Sequence, residues 1–321
     1  MPEPSSGHTD RTSTPTQRGP AATGGPHFSL AVGGAGAAND MPEAVYTPDS
    51  AILHPVRLLR DVASGLWVGR DLAWRLFVRN LRARYRQTVF GYVWAIMPPI
   101  ALTLLWALLK GNRVVRLDMP GDVPFAAYAL TGFTLWFAFL GALKSPMKAM
   151  SGSKNMLEKL CFPREALLVT CLGEVLFDFA IGLGVLMVFL IGTGVPVAST
   201  WWLFPLGGAA IVVFGFGLGV LLTPLDMLYK DVSKAIDAFA TMWMFSTPLF
   251  YAPMKGTAGW VINWINPAVP LVVSTRSWLL AGQPESMYLA AFGVYAVLGA
   301  AMLAVGMVVF RLTLPYLIER M

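Results

Sequence analysis

The sequence predicts an all-α integral membrane protein. It should have six transmembrane helices, an N-terminal amphipathic helix at the membrane interface and a re-entrant segment between helices 5 and 6. The first observation is composition: 56% of the 321 residues are hydrophobic and 13% are charged, against about 25% charged in soluble domains. The second is the stretch 89–109, which carries no charge over 21 residues. As a helix this stretch is about 30 Å long, the thickness of the hydrocarbon core of a bilayer.

The third observation is a basic amphipathic helix at residues 66–86, directly before that first span. Its arginines follow one another at helical spacing and share one face: Arg75, Arg79, Arg82 and Arg86. Large apolar residues share another face: Trp67, Trp74, Val78, Leu81 and Tyr85. Such a helix lies in a membrane surface, with its apolar side among the acyl chains and its cations near phosphate groups.

The alternation of polar and apolar stretches predicts the domain organisation. Residues 1–50 are rich in small residues and proline, and we expect a disordered tail because they bury too little apolar surface to fold. Residues 51–321 are expected to form the transmembrane domain. Its six spans are predicted at about 89–109, 124–143, 166–191, 201–225, 235–253 and 287–310. Residues 254–284 are too polar and too broken by Gly and Pro to span, and are interpreted as short helices that dip into one leaflet.

The distribution of Lys and Arg predicts the orientation. Six spans put both termini on one side, which carries eight of these cations in 57–86, five in 144–164, two in 226–237 and two in the C-terminal tail. The other side carries five, which are Lys110, Arg113, Arg116, Lys255 and Arg276. Cationic loops stay in the cytoplasm, so we expect both termini there, in a multi-pass protein of the cytoplasmic (inner) membrane. This topology explains the net charge of +6 without nucleic acid.

The residues needed for chemistry within the chain are sparse. There is no G-x-x-x-x-G-K-[ST] motif, and the nearest stretch, SGSKN at 151–155, lacks the spacing that wraps phosphates. All three histidines precede the first span. The two cysteines are interpreted as small buried apolar residues rather than a metal site or a disulfide. We therefore expect a transporter component, not an enzyme, with no metal or cofactor of its own. A partner or an ion gradient would supply the energy.

Two carboxylates, Glu174 and Asp178, lie inside the third predicted span, four residues apart and on one helical face. Ionisable groups in hydrocarbon usually face a bundle interior or water. One interpretation is a channel lining or a proton relay. The other is a structural pair, neutral or hydrogen-bonded to cations such as Arg164 or a lysine of a neighbouring helix. The second is favoured because a proton carrier usually has such carboxylates on several spans.

Two charged stretches, 145–165 and 226–237, and a set of aromatic residues also allow two interpretations each. The charged stretches are solvated turns or docking surfaces for another protein. The aromatic residues form an interfacial belt or a ring that stacks on sugars and closes an outer gate. Members of this set are Trp136, Trp201, Trp202, Tyr251, Trp260, Trp264 and Trp278.

Four stretches carry a family resemblance when they are taken in order. They are RARYRQTVFGYVWAIMPPI at 82–100, SKNMLEKLCFPRE at 153–165, YKDV at 229–232, and MWMFSTPLFY at 242–251 followed by Asn266, Pro267 and Arg276. Together they resemble the permease subunits of type-2 ABC exporters of polysaccharides such as O-antigen, teichoic acid or galactan. One departure is Lys230, where the family pattern has Arg.

The resemblance implies a homodimer with a channel between its protomers and two copies of a separate cytoplasmic ATPase that binds ATP and Mg²⁺. The substrate would be a polymer on an undecaprenyl-pyrophosphate-type lipid, moved across the cytoplasmic membrane. The lipid pyrophosphate would enter at Arg75, Arg79, Arg82 and Arg86, since guanidinium groups suit phosphate oxygens. ATPase coupling would involve Lys154, Asn155, Glu158, Lys159, Arg164, Tyr229, Lys230 and Asp231. The channel or outer gate would involve Trp136, Glu174, Asp178, Tyr251, Trp260 and Trp264.

Three alternatives stay open at this point. Within the same family, the substrate could be a drug or a small lipid. A proton-coupled carrier, or an intramembrane enzyme that uses Glu174 and Asp178, would belong to a different class.

Overall fold

The computed structural model describes residues 67, 69–86, 93–115, 123–152, 165–253, 256–282, 284 and 286–319. Within these ranges the chain forms nine α-helices and no strand, which confirms the predicted all-α fold. The helices are α1 (Arg70–Arg86), α2 (Val93–Gly111), α3 (Phe125–Gly152), α4 (Glu165–Thr193), α5 (Phe204–Leu228), α6 (Asp231–Ser246), α7 (Thr257–Ile265), α8 (Ala268–Leu280) and α9 (Ser286–Glu319). The predicted tail at 1–50 and the predicted coupling residues Lys154, Asn155, Glu158, Lys159 and Arg164 lie outside the described residues.

Five helices are long and apolar enough to cross a membrane: α2, α3, α4, α5 with the 3₁₀ turn before it, and α9. Each matches a predicted span. The predicted fifth span, 235–253, corresponds to α6, which has only 16 residues and ends at Ser246. A span needs about 20 residues. The helix stops just before Pro248, which has no amide proton to continue it, and residues 247–253 are not helical.

Helix α3 extends to Gly152, well beyond the end predicted at 143. Residues 144–152 therefore continue a transmembrane helix and do not form the separate loop expected from their charge. Their pattern explains the difference: Met147 and Met150 stay buried, while Lys144 and Lys148 lie on another side of the same helix. An apolar stripe that continues at helical spacing keeps the helix packed after its charged residues begin.

The core forms where α5 packs against α3 on one side and against α9 on the other. Close backbone approach makes this packing possible. A Cβ at Gly219 would overlap the carbonyl group of Leu143 in α3, and one at Gly217 would lie 2.8 Å from the carbonyl oxygen of Gly299 in α9. Small residues bring membrane helices together in this way because lipid supplies no hydrophobic driving force between them.

Helix α1 lies against α4. It buries Ala73 and Leu76, and the Thr170 hydroxyl of α4 donates a hydrogen bond to the Ala73 carbonyl at 3.2 Å. In contrast, Trp67 and Trp74 are 69% and 65% exposed. Helix α1 thus has two apolar sides. Ala73 and Leu76 pack against the protein, whereas Trp74 is exposed, and the sequence prediction did not distinguish these two sides. The exposed tryptophans fit the predicted position in a membrane surface.

Candidate functional site

A cleft of about 730 Å³ lies between α1, α2, α3 and α4. One wall is apolar and includes the α2 residues Trp94 and Pro98. The other walls carry four cations and two carboxylates: Arg79, Arg84, Lys144, Lys148, Glu174 and Asp178. Because its cations outnumber its carboxylates, the cleft favours an anionic ligand.

Helices α1 and α4 are joined across this cleft by two polar contacts. Asn80 Nδ2 donates a hydrogen bond to Glu174 Oε1 at 2.9 Å, and Arg84 forms a salt bridge with Asp178 at 2.8 Å. Asn80 also accepts a hydrogen bond from Arg79 Nη2 at 3.2 Å. The three α1 side chains are therefore linked, directly or through one another, to the two α4 carboxylates of the cleft.

The four arginines predicted to receive the lipid pyrophosphate are all exposed, but they do not lie together at the cleft. Arg79 lines it, whereas Arg75, Arg82 and Arg86 are outside its lining. The cleft arginine that the prediction missed is Arg84. A signal for it was present, because Asn80 and Arg84 have the same four-residue spacing as Glu174 and Asp178.

Glu174 and Asp178 have defined partners, and those partners are on α1. The expectation of a cation partner holds for Asp178, although the cation is Arg84 and not a lysine of a neighbouring span. Arg164 lies outside the described residues. Both carboxylates also line the cleft. A role in lining a translocation channel stays a prediction.

The predicted coupling residues between α5 and α6 form an exposed turn. Tyr229 is 66% exposed, and Lys230 and Asp231 are exposed beside it. Asp231 forms its salt bridge within α6, to Lys234 at 3.2 Å. The turn therefore offers aromatic, cationic and anionic groups to a partner.

Asp226, which the sequence analysis did not single out, fixes the base of this turn. Its side chain is only 5% exposed. It accepts hydrogen bonds from the backbone amide of Ser233 at 3.1 Å and from the hydroxyl of Ser151 at 3.0 Å, and a third from the hydroxyl of Ser233. A buried carboxylate needs such donors to offset its lost hydration. Asp226 thereby ties the end of α3 to the start of α6.

The predicted gate aromatics occupy different environments. Trp136 is 1% exposed, and its ring centroid lies 6.1 Å from that of Trp243 in α6. Tyr251 is half-buried, and its hydroxyl donates to the Phe245 carbonyl at 2.8 Å. The Trp264 carbonyl accepts a hydrogen bond from the Tyr295 hydroxyl. The Trp260 side chain is outside the described part of the structure. A gating role for this set stays a prediction.

The non-helical segment after α6 is held by polar side chains. Arg276, 3% exposed, donates hydrogen bonds to the carbonyl oxygens of Pro248 at 2.9 Å and Leu249 at 3.1 Å. Tyr128 donates to the carbonyl oxygen of Tyr251 at 3.0 Å. These bonds pair carbonyl groups that the helix break leaves without helical partners, as buried backbone requires.

Asn266 anchors the other side of the same break. Its side-chain oxygen accepts from Trp243 Nε1 at 2.7 Å and from the Ala268 amide at 3.0 Å, and its Nδ2 donates to Thr247 Oγ1 at 3.0 Å. Residues of the stretch 242–251 therefore meet Asn266 and Arg276 in one hydrogen-bond network. These are parts of the fourth stretch that carries the family resemblance. Arg276 had been counted among the outward-facing cations, but it is buried and contributes no surface charge.

No three His, Cys, Asp or Glu side chains come together as a metal site within the described ranges. The polar groups that the structure does assemble suit anion binding and the packing of helices.

Comparison with known proteins agrees with the helix pattern. A family model described as ABC-2 type transporter matches residues 71–280. An O-antigen export system permease protein RfbA from Klebsiella pneumoniae is 22% identical over 236 residues, covering 73% of this chain and 88% of that protein. A protein of the same name from Myxococcus xanthus is 27% identical over 228 residues, with coverages of 69% and 84%. The polysialic acid transport protein KpsM of Escherichia coli is 23% identical over 222 residues, with coverages of 68% and 85%.

The matched region includes all of α2 to α8, the cleft, the α5–α6 turn and the network at Arg276. It is well over half of the chain. The chain belongs to the ABC-2 type transporter family.

Proposed function

We propose that this chain is the permease subunit of an ATP-driven exporter that moves a lipid-linked polysaccharide across the cytoplasmic membrane. The observation that carries the proposal is the likeness to export permeases over more than two thirds of the chain. The relatives from Klebsiella pneumoniae and Myxococcus xanthus are named for O-antigen export, and KpsM for polysialic acid transport. Both kinds of cargo are polysaccharides.

The energy source in this proposal is a separate ATPase. The chain itself has no phosphate-wrapping nucleotide motif. The turn at Tyr229, Lys230 and Asp231 supports docking, because its side chains are exposed while Asp226 holds its base rigidly. A homodimer with two ATPase copies is the arrangement we propose, with both termini in the cytoplasm.

The cleft supports a substrate with an anionic lipid end. It lies beside α1, whose exposed Trp67 and Trp74 fit a membrane surface, and its cations include Arg79, Arg84 and Lys148. A polyprenyl diphosphate would present its phosphates at this depth and leave its glycan on the aqueous side. Guanidinium groups suit such phosphates because they donate two parallel hydrogen bonds.

The test is deletion of the gene with complementation, read out as surface polysaccharide. We expect the deletion to leave the glycan inside the cell, still attached to lipid. We expect the tagged chain to co-purify with the ATPase encoded nearby, as a complex that hydrolyses ATP.

Three outcomes would contradict the proposal. Normal surface glycan in the deletion strain would show that this protein does not export the polysaccharide. Resistance or lipid phenotypes in its place would point to a drug or small-lipid exporter. ATP-independent transport that collapses with an uncoupler would point to a proton-coupled carrier.

A further inference from the structure

Two side-chain contacts between α1 and α4 have matched spacing and lie inside the cleft. Asn80 contacts Glu174 and, one turn later, Arg84 contacts Asp178 at 2.8 Å. Both pairs advance by four residues in the same direction along their helices, which is about one helical turn. The Arg84 and Asp178 side chains remain 48% and 31% exposed. This salt bridge is therefore open to a ligand that enters the cleft.

A diphosphate is a stronger partner for Arg84 than a carboxylate is. It carries more negative charge, and its oxygens accept two parallel hydrogen bonds from one guanidinium group. A partly exposed salt bridge holds its partners weakly because water solvates both charges. Two further cations of the cleft, Arg79 and Lys148, attract the diphosphate as well.

We propose that the cleft binds the diphosphate of the lipid-linked glycan and that Arg84 exchanges Asp178 for phosphate oxygens as this headgroup binds. The inference rests on the function proposed above and adds the residues and the order of events. Asp178 is a competing counter-ion: it keeps Arg84 in the cleft and is displaced by the substrate. The exchange breaks the Arg84–Asp178 salt bridge, one of the polar contacts between α1 and α4, so headgroup binding also loosens α1 from α4.

The proposed exchange predicts that replacing Arg84 and replacing Asp178 have opposite effects on the affinity for diphosphate. Arg84→Gln should weaken diphosphate binding by roughly tenfold, because it removes a charge-assisted pair of hydrogen bonds. Asp178→Asn should tighten binding by roughly two- to fivefold, because it removes a competitor whose interaction is that of a partly exposed ion pair. A purely structural salt bridge predicts weaker binding from both changes.

The experiment uses the complete complex of permease and ATPase in nanodiscs. A polyprenyl diphosphate without glycan serves as the probe, and native mass spectrometry gives its dissociation constant. Co-purification of the ATPase and the thermal midpoint confirm that each variant is assembled. If Asp178→Asn binds the probe as the wild type does or more weakly, the exchange is contradicted.

Glu174→Gln is the matched control for charge. It removes the same negative charge from the same cleft, but the partner of Glu174 is the neutral Asn80. The exchange predicts a smaller gain for Glu174→Gln than for Asp178→Asn; equal gains would attribute the effect to net charge alone and would overturn the proposal. In the Arg84→Gln background, Asp178→Asn should give no comparable gain. This double variant leaves neither partner of the pair unpaired, so it remains informative if Asp178→Asn alone does not assemble.

Free inorganic diphosphate distinguishes a lipid headgroup from a soluble anion. We expect it to compete only at much higher concentration than the lipid, since it gains nothing from burial of the polyprenyl chain. Equal affinity for the free anion would identify a soluble-anion site and overturn the lipid assignment. Failure of the proposed function is separable: the wild-type complex would then bind no polyprenyl diphosphate, whatever the variants do.

Discussion

The guanidinium carbon of Arg276 lies 3.5 Å from the centroid of the Tyr128 ring, and both side chains donate hydrogen bonds to the segment that follows α6. A cation stacked on an aromatic face is stabilised electrostatically. The same two residues thus bury a charge and pair the carbonyl groups of a helix break. The end of helix α6 is therefore stabilised by specific tertiary contacts.

Replacing Arg276 should destabilise the protein strongly. Arg276→Met fills similar volume but leaves the Pro248 and Leu249 carbonyl oxygens without their donor, and each unpaired buried group costs about 1–3 kcal/mol. We expect a loss of about 2–4 kcal/mol, measured as a lower thermal midpoint of the purified protein. Arg276→Lys should recover part of this loss, because an ammonium group donates hydrogen bonds without the guanidinium's planar geometry.

Lys234→Met is the control for loss of a cation. Lys234 is 79% exposed, and its salt bridge is with Asp231, three residues earlier in the same helix. Exposed pairs of this kind contribute little to stability, so the midpoint should stay near that of the wild type. Equal effects at Lys234 and Arg276 would contradict the role assigned to Arg276.

Close approach of α3 and α5 gives a second prediction. Gly219→Ala places a methyl group on the Leu143 carbonyl, where nothing flexible can yield. Such overpacking typically costs about 1–3 kcal/mol, and we expect a lower thermal midpoint or loss of expression. Gly184→Ala is the matched control in another span, since no atom of the residues that the structure describes lies within 4 Å of the new Cβ. It should be neutral or slightly stabilising, because Ala has the higher helix propensity.

Part of this architecture follows from the sequence, and hydropathy is the reason. Five predicted spans match helices long enough to cross a membrane, since uncharged runs of that length have few other uses. The break before Pro248 did not follow, since the predicted span 235–253 ran past it. The network that repairs the break did not follow, because Tyr128, Pro248 and Arg276 are far apart in the chain.

The arginines of α1 also show what helical spacing alone does not predict. Helical spacing tells which of the α1 arginines share a face, and Arg75, Arg79, Arg82 and Arg86 do. It does not tell which face meets the protein. That is decided by Ala73 and Leu76, which pack inward, and by carboxylates of α4 that lie 94 residues further along the chain. Arg84 is turned to the cleft by those contacts, which no local pattern reports.

Asp226 gives a third prediction, about rigidity. Asp226→Ala should remove the hydrogen bonds from Ser151 and Ser233 and leave the part-buried Ser233 amide without this acceptor, at a cost of about 1–3 kcal/mol. We expect faster amide hydrogen exchange at the start of α6 and at the end of α3. Asp237→Asn is the control, because its salt bridge with Lys144 is exposed. Unchanged exchange at both helix ends in Asp226→Ala would show that other contacts hold the turn.

The exposed turn gives a fourth prediction, about the ATPase. Lys230→Glu should weaken co-purification of the ATPase, because it reverses a charge in the proposed docking surface while Asp226 keeps the turn folded. Arg113→Glu makes the same change at an exposed position that the predicted topology puts on the other side of the membrane. That variant should co-purify normally. An unchanged yield for Lys230→Glu would remove this turn from the docking surface.

The last prediction separates the arginines that share a face from the arginines of the cleft. If the cleft receives the phosphates, Arg79→Gln combined with Arg84→Gln should reduce export at least tenfold, because two charge-assisted contacts are lost at once. Arg75→Gln combined with Arg82→Gln removes two exposed arginines from the same helix but none from the cleft. It should lower export only modestly, through weaker attraction to the anionic membrane surface. Export of surface glycan, normalised to the amount of assembled complex, measures both. If the two double variants lose export equally, the arginines act through surface charge, and the cleft has no special part in receiving the substrate.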